Sequence, residues 1–389
     1  MIFMEKLRLS AQVEKKLSKG IVLLEKDDLP TAKTENGLVQ LISQSGQLLA
    51  TAYLSEQHKG IGWVISTDDI ELTQSFFEAL FTKARESRLA YINDSSTTAY
   101  RLFNQEGDGF GGFTVDRYGD FVIFSWYNAF VYSIKNRIVE AFKVVFSDLS
   151  GAYEKYRFKG AERQSGHLYG AKAPETFEVL ENNVKYQIFL NDGLMTGIFL
   201  DQHEVRGRLV DGLAAGKSVL NLFSYTAAFS VAAAMGGARQ TTSVDLAKRS
   251  VELSEAHFKA NGLDTLNHKL KVMDVFAYYR YAKRHGLTYD VIVIDPPSFA
   301  RNKKQTFTVS KDYHRLVSEA VAILNPNGIL ILSTNASNLS VEQFQKQINK
   351  GFGGKAYQVL SLDQLPADFK INKNDERSNY LKVFTIKVG

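Results

Sequence analysis

Cysteine is absent from all 389 residues. That excludes disulfides, zinc sites with thiolate ligands and iron–sulfur clusters. It also excludes a thiolate nucleophile, whatever the fold. Proline is scarce, at six, and no low-complexity tract occurs, so large disordered regions are not expected. No run approaches eighteen apolar residues, and the opening MIFMEKLRLSAQ lacks a long apolar stretch and a small-residue cleavage site. The expectation is a soluble, cytoplasmic chain with no membrane span. The seven histidines show no metal-ligand spacing, so no metal is expected.

What is present supports real cores. Hydrophobic residues make up 44% of the chain, and its length suits two or three domains. Lys plus Arg is 47 against 42 for Asp plus Glu, a formal charge of +5. This permits a nucleic-acid partner without demanding one.

Residues 1–68 read as a small β-rich module. Gly37 to Ala52 forms a predicted hairpin turning at Ser45-Gly46, and Gly60 to Ser66 a further strand. Residues 69–183 mix helix and strand. Leu72 to Asn93 and Tyr132 to Phe146 have helical patterns, and a hairpin is predicted from Phe113 onward. The glycines at 107, 109, 111 and 112 force a tight loop there. That loop has no GK[ST] and no clear following helix, so a plain turn is a better account than a phosphate cradle.

From residue 184 to 389 the pattern changes. VKYQIFLN is strand-like. Then KSVLNLF, QTTSVD, HKLKVMD, YDVIVID and GILILST give five strands, interleaved with helices near 226–235, 246–260, 312–324 and 340–350. This βαβ order predicts an α/β domain with a mostly parallel sheet. The closing YLKVFTIKV is expected as one more strand, antiparallel at an edge.

Open α/β sheets bind ligands at the carboxyl ends of their strands. Four such ends carry polar groups: the loop Asn221 to Tyr225 (with Phe223 and Ser224), Asp245, Asp274 and Asp295. The loop NLFSYTAAF lacks GxGxxG, which suits a ligand without pyrophosphate and disfavours a dinucleotide dehydrogenase. A strand-end acid can accept ribose hydroxyls at Asp245 or an adenine amino group at Asp274. Acids at such ends also serve as helix caps or stay solvated. In register with the Asn221 loop they favour a nucleoside site, and S-adenosyl-L-methionine fits it. Its sulfonium tolerates nearby negative charge.

Asp295 leaves its strand into Pro296 and Pro297, whose fixed φ makes the turn stiff. Such a turn can hold carbonyls and Phe299 against a flat base. Arg301, Lys303 and Lys304 follow directly and are the candidate phosphate contacts. Looser basic groups are Arg157, Lys159, Arg163 and Lys172, and later Lys370 and Lys373.

Taken together, TGIFLDQHEVR, VLNLFSYTAAFSVAA, SVDLAKRSVELSEAHFKANGL, DPPSFARNKKQTF and NYLKVFTIKV resemble class I S-adenosylmethionine-dependent RNA methyltransferases. The resemblance is to the bacterial large-subunit rRNA cytosine-C5 methyltransferase group. NQEGDGFGGFTVDRYGD resembles that group's α+β linking domain, and residues 1–68 its PUA-like RNA-binding domain. The resemblance implies a Rossmann-like methyltransferase domain over residues 184–389. It implies cofactor contact through Asn221–Tyr225, Asp245 and Asp274, with Asp295 where cofactor and acceptor meet. TGIFLDQ would lie against the cofactor, with Gln202 in contact and Asp201 organising the loop. It further implies RNA as partner, 23S rRNA or a ribosomal precursor, and allows a homodimer.

Cytosine-C5 members place a catalytic cysteine after the next strand. Here that stretch is ILILSTNASNLS, carrying Asn335 and Ala336. Cytosine C5 is a poor nucleophile that needs covalent activation. The cytosine-C5 activity is therefore not expected. A ring nitrogen such as guanine N7, or an exocyclic amine, needs alignment rather than covalent help. Asp295, Pro296, Phe299 and Asn335 are the expected acceptor-side residues. The remaining alternative is an inactive cofactor-binding RNA protein.

Overall fold

The computed structural model describes residues 4–33, 35–57, 60–301 and 306–389, with the backbone alone for 299–301 and 306. The chain divides into two compact units, each with its own core. One comprises residues 1–177, 189–196 and 367–378; the other comprises 178–188, 197–366 and 379–389.

The first unit holds two five-stranded sheets. The N-terminal sheet contains the expected hairpin, Gly37–Ile42 with Leu48–Gln57, and Gly60–Ser66 beside it. The second contains the hairpin Phe113–Tyr118 and Phe121–Trp126. Rings of Phe77, Phe81, Phe103, Phe113, Phe124, Trp126 and Phe142 fill the core beneath it. The glycine loop is structural. A Cβ on Gly107 would lie 1.8 Å from the Lys370 carbonyl oxygen, and one on Gly111 would strike the Trp63 ring. Residues 367–378 are threaded through this unit as a strap. Buried Arg88 pairs with Asp108 at 2.6 Å and donates to the Asp368 carbonyl, while Asn104 donates to that of Lys370.

The second unit is built on a seven-stranded sheet. Its strands are β1 (Ser218–Leu222), β2 (Gln240–Asp245), β3 (His268–Val272), β4 (Tyr289–Ile294), β5 (Leu324–Thr334), β6 (Tyr357–Asp363) and β7 (Lys382–Val388). The spatial order is β3-β2-β1-β4-β5-β7-β6. The first five strands run parallel, and β7 is antiparallel to both neighbours. The five-strand expectation holds. The last strand is antiparallel as expected, yet it lies inside the sheet, because β6 covers its outer side. β6 was missed: its exposed face carries polar and apolar residues in no clear alternation.

The strands are buried on both faces, so they read as continuous apolar runs. Period-two alternation sorts them. Leu220, Leu222, Ile292, Ile294, Leu330 and Leu332 face one core with Tyr279, Tyr313 and Phe344. Val219, Val291, Val293, Ile329 and Ile331 face the other with Leu209, Phe229 and Ala232. At about 25 cal/mol per Å² of apolar area, this two-sided burial is the main stabilising term.

Five helices connect the strands: α1 (Ala228–Met235), α2 (Arg249–Ala260), α3 (Val275–Arg284), α4 (Val309–Val321) and α5 (Val341–Phe352). α3 is the one the sequence reading lacked. Its buried Val275, Tyr278, Tyr279 and Ala282 have i, i+3, i+4, i+7 spacing, a signal masked by its aromatic content. α5 starts with a Ser340/Gln343 capping box. No helix among the described residues is long and apolar enough to cross a membrane.

Candidate active site

The carboxyl ends of β1, β2, β3, β4 and β5 carry the loops that build the site. After β1 the backbone enters the left-handed region at every second residue: Phe223 at φ 57°, Tyr225 at 49° and Ala227 at 60°. Glycine would adopt these angles freely; for other residues each costs about 1–3 kcal/mol. The surroundings impose the shape. Ser224 N–H donates to the Val244 carbonyl at 3.1 Å and Tyr225 N–H to Asp245 Oδ2 at 2.8 Å. Ala227 then opens α1, whose small buried Ala228, Ser230, Ala232 and Ala233 let it sit close to the sheet.

Asn221 is 1% exposed. Its Nδ2 donates to Ser230 Oγ at 3.1 Å, and its Oδ1 is buried with no partner. Asp245 takes a second N–H, from Ala247, on Oδ1 at 2.9 Å. Both carboxylate oxygens therefore hold loop backbone in place, each with a further lone pair to offer. Leu246 beside it is 64% exposed, an apolar side chain in water at a strand end that the sequence reading passed over. Asp274 is the N-cap of α3, its Oδ1 accepting from Ala277 N–H at 3.0 Å.

The third strand-end acid lies at the DPP turn, half-buried like the other two. Asp295 Oδ2 accepts from Gln202 Nε2 at 2.8 Å, and Gln202 Oε1 is buried without a partner. Burial pushes the Asp295 carboxyl up to about 6, and the Asp201 carboxylate adds to the rise while Gln202 and Arg206 oppose it. Beneath the turn, buried Tyr313 donates its hydroxyl to the Ile294 carbonyl at 3.0 Å. Pro296 is buried and Pro297 exposed. Ser298 Oγ donates to Asn335 Oδ1 at 2.6 Å, tying the DPP turn to the loop after β5. The backbones of Phe299–Arg301 and Thr306–Thr308 pair as a short hairpin. Lys303 and Lys304 lie outside the described residues, as do the side chains of Phe299 and Arg301.

Asp201 Oδ2 accepts from the Tyr380 hydroxyl at 3.0 Å. Arg206 forms a two-pronged buried pair with Glu181, at 2.6 and 2.8 Å, and donates to the Phe199 carbonyl. Lys382 was also missed. It pairs with Thr334 across β7 and β5, and its buried ammonium donates to the carbonyls of Ala336 and Tyr380 at 3.0 and 3.1 Å. It stood in plain view in NYLKVFTIKV; what was not visible was its register against β5.

A family profile described as S-adenosylmethionine-dependent methyltransferase matches residues 153–356, and one for a PUA-like domain matches residues 7–67. YwbD of Bacillus subtilis, a candidate ribosomal RNA large subunit methyltransferase, is 41% identical over 382 residues, covering 96% of each chain. Ribosomal RNA large subunit methyltransferase I of Aeromonas hydrophila is 30% identical over 380 residues, covering 95% of this chain and 94% of its own. The crystal structure of SMU.776, a candidate methyltransferase complexed with SAH, is 59% identical with a TM-score of 0.96, covering 99% of this chain and 100% of that one.

Proposed function

The chain belongs to the S-adenosylmethionine-dependent methyltransferases, and from that premise we propose that it methylates a nitrogen of a base in large-subunit ribosomal RNA. The RNA substrate is supported by the PUA-like match and by the names its relatives carry. The single observation that carries the chemistry is Asp295, half-buried at the DPP turn and held by Gln202 at 2.8 Å, in a chain with no thiol at all. A nitrogen with a lone pair needs to be aligned and its charge settled; it needs no covalent nucleophile.

The residues fit the cofactor. Asn221 and Gln202 each leave a buried polar oxygen without a partner, the mark of a missing ligand. Asp245 has lone pairs left for the ribose hydroxyls, and exposed Leu246 offers an apolar face to adenine. Asp274 offers its second oxygen to the adenine amino edge while Oδ1 keeps the cap. Phe223, Ser224 and Tyr225 would pass their backbone close to the amino-acid end. When bound, S-adenosyl-L-methionine supplies the electrophilic methyl group.

On the acceptor side, Asp295 and the Pro296 carbonyl orient the base, and Asn335 holds the turn through Ser298. Phe299 is the aromatic residue proposed for the ring, and Arg301, Lys303 and Lys304 those proposed for the phosphates. Residues 1–68 serve as the PUA-like domain and 69–183 as the linking domain. A homodimer is supported by the exposed edge strand β6, where Val359, Leu360 and Leu362 face solvent. The test is incubation of the full chain with labelled cofactor and 23S rRNA or its precursor particles, then nucleoside mapping. A nitrogen-methylated base is the expected product. 5-Methylcytidine would overturn the mechanism, and no transfer at all would leave an RNA protein that only holds cofactor.

A further inference from the structure

The chain has 26 phenylalanines. Among the side chains whose exposure is described, Phe199 is the single exposed one, at 50%. Its backbone has almost no freedom. Two residues earlier, Gly197 takes φ +105°, and a Cβ there would lie 2.4 Å from the Gln187 carbonyl oxygen. Gly197 N–H donates to the Tyr225 hydroxyl at 3.2 Å, and its carbonyl accepts from Thr226 Oγ1 at 2.7 Å. The Phe199 carbonyl accepts from Arg206 at 2.6 Å, and Arg206 is itself locked by Glu181. Three residues on, the same turn delivers Gln202 to Asp295. The ring is edged by Tyr225, with centroids 5.3 Å apart and planes tilted by 47°.

An aromatic face held in water by so many backbone bonds is built for something that covers it. The reading above gives adenine the exposed Leu246, which leaves Phe199 for a second flat group. We propose that Phe199, edged by Tyr225, is a stacking platform for an unstacked base of the RNA substrate. The proposal rests on the RNA-base reading above. Every nucleobase has a π-face, and a fixed ring loses little freedom when one settles on it.

The test uses Phe199→Ala and Phe199→Trp in the full chain. The readouts are KM and kcat for rRNA, SAH affinity by calorimetry, and quenching of 2-aminopurine placed beside the mapped target in an RNA oligonucleotide. Phe199→Ala should raise the RNA KM by about tenfold, within the range for loss of one base–aromatic stack. SAH affinity should change less than twofold, and quenching should be lost. Phe199→Trp should restore both KM and quenching. A parallel loss of SAH affinity would reassign the ring to the cofactor and overturn the proposal, as would an unchanged RNA KM. If the wild-type chain methylates no RNA, the underlying reading fails; if it does and Phe199→Ala is indifferent, the platform alone fails.

Discussion

The two edges of the site are made from the same parts and behave differently. At the proposed cofactor edge, Asp245 and Asp274 follow their strands and accept backbone N–H groups, two from a loop for Asp245 and one from a helix for Asp274. At the proposed acceptor edge, Asp295 ends β4 in the same sheet, is half-buried, and accepts from a glutamine side chain while its pKa is pushed up to about 6. Three acids with one sequence signature thus have three sets of partners. The neighbours decide what each carboxylate holds, and at Asp295 desolvation raises the pKa.

The largest effect that separates the edges is expected from Asp295→Asn. Methyl transfer should fall by about 10²-fold or more, the range for loss of one positioned group that settles developing charge, while SAH affinity stays near wild type. An equal loss of SAH affinity, read by calorimetry, would merge the two edges into one.

Arg206→Met probes the buried pair that holds the Phe199 carbonyl. Removing the cation leaves Glu181 buried and alone, and such a break costs about 3–5 kcal/mol. Denaturant unfolding should show that loss. Replacing both partners together, with Glu181→Leu and Arg206→Met, should recover most of it; a double variant as unstable as the single one would mean the carboxylate was never the problem.

Acidity sharpens the contrast further. Burial raises the Asp295 pKa in the folded chain, so its favourable share of stability is present below the ordinary carboxylate range and is lost as pH rises through about 6. Activity should run the other way, climbing about tenfold per unit below pH 6 and levelling above it, as the carboxylate forms. Paired pH profiles of rate and of denaturation midpoint, with Asp295→Asn as reference, should show these opposite trends. A flat difference in stability between the two proteins from pH 4 to 7 would show that Asp295 titrates normally.

Asp274→Ala should cost about 1 kcal/mol through loss of the α3 cap, with Asp274→Ser keeping most of it. If Asp274 also reads adenine, SAH binding will weaken in both variants; a change in stability alone would leave it purely a cap. The smallest effect is expected from Ala227→Gly. Relief of the left-handed angle is offset by greater chain entropy, leaving a gain of about 0.5 kcal/mol or less in unfolding free energy.

Much of this was legible. The five parallel strands appear as apolar runs because both their faces are buried, and the PUA-like and methyltransferase segments have matching sequence profiles. The bonds from Gln202 to Asp295 and from Ser298 to Asn335 each join residues named from sequence or beside them. Less visible were α3, hidden by its aromatics, and β6, whose exposed residues lack alternation. Leu246 and Phe199 were invisible for one reason: a sequence shows that a residue is apolar, not that it is left in water.

What the sequence determined by itself is the α/β order, the set of acids at strand ends and the impossibility of thiolate chemistry, because these depend on local pattern and on composition. What only the tertiary structure decided is which acid is held by Gln202, which is a cap, which lysine reaches the loop after β5, and which aromatic ring remains uncovered. Those outcomes depend on partners up to 93 residues apart, as with Gln202 and Asp295. Solvent exclusion and hydrogen-bond pairing are properties of the assembled neighbourhood, and no single stretch of chain carries them.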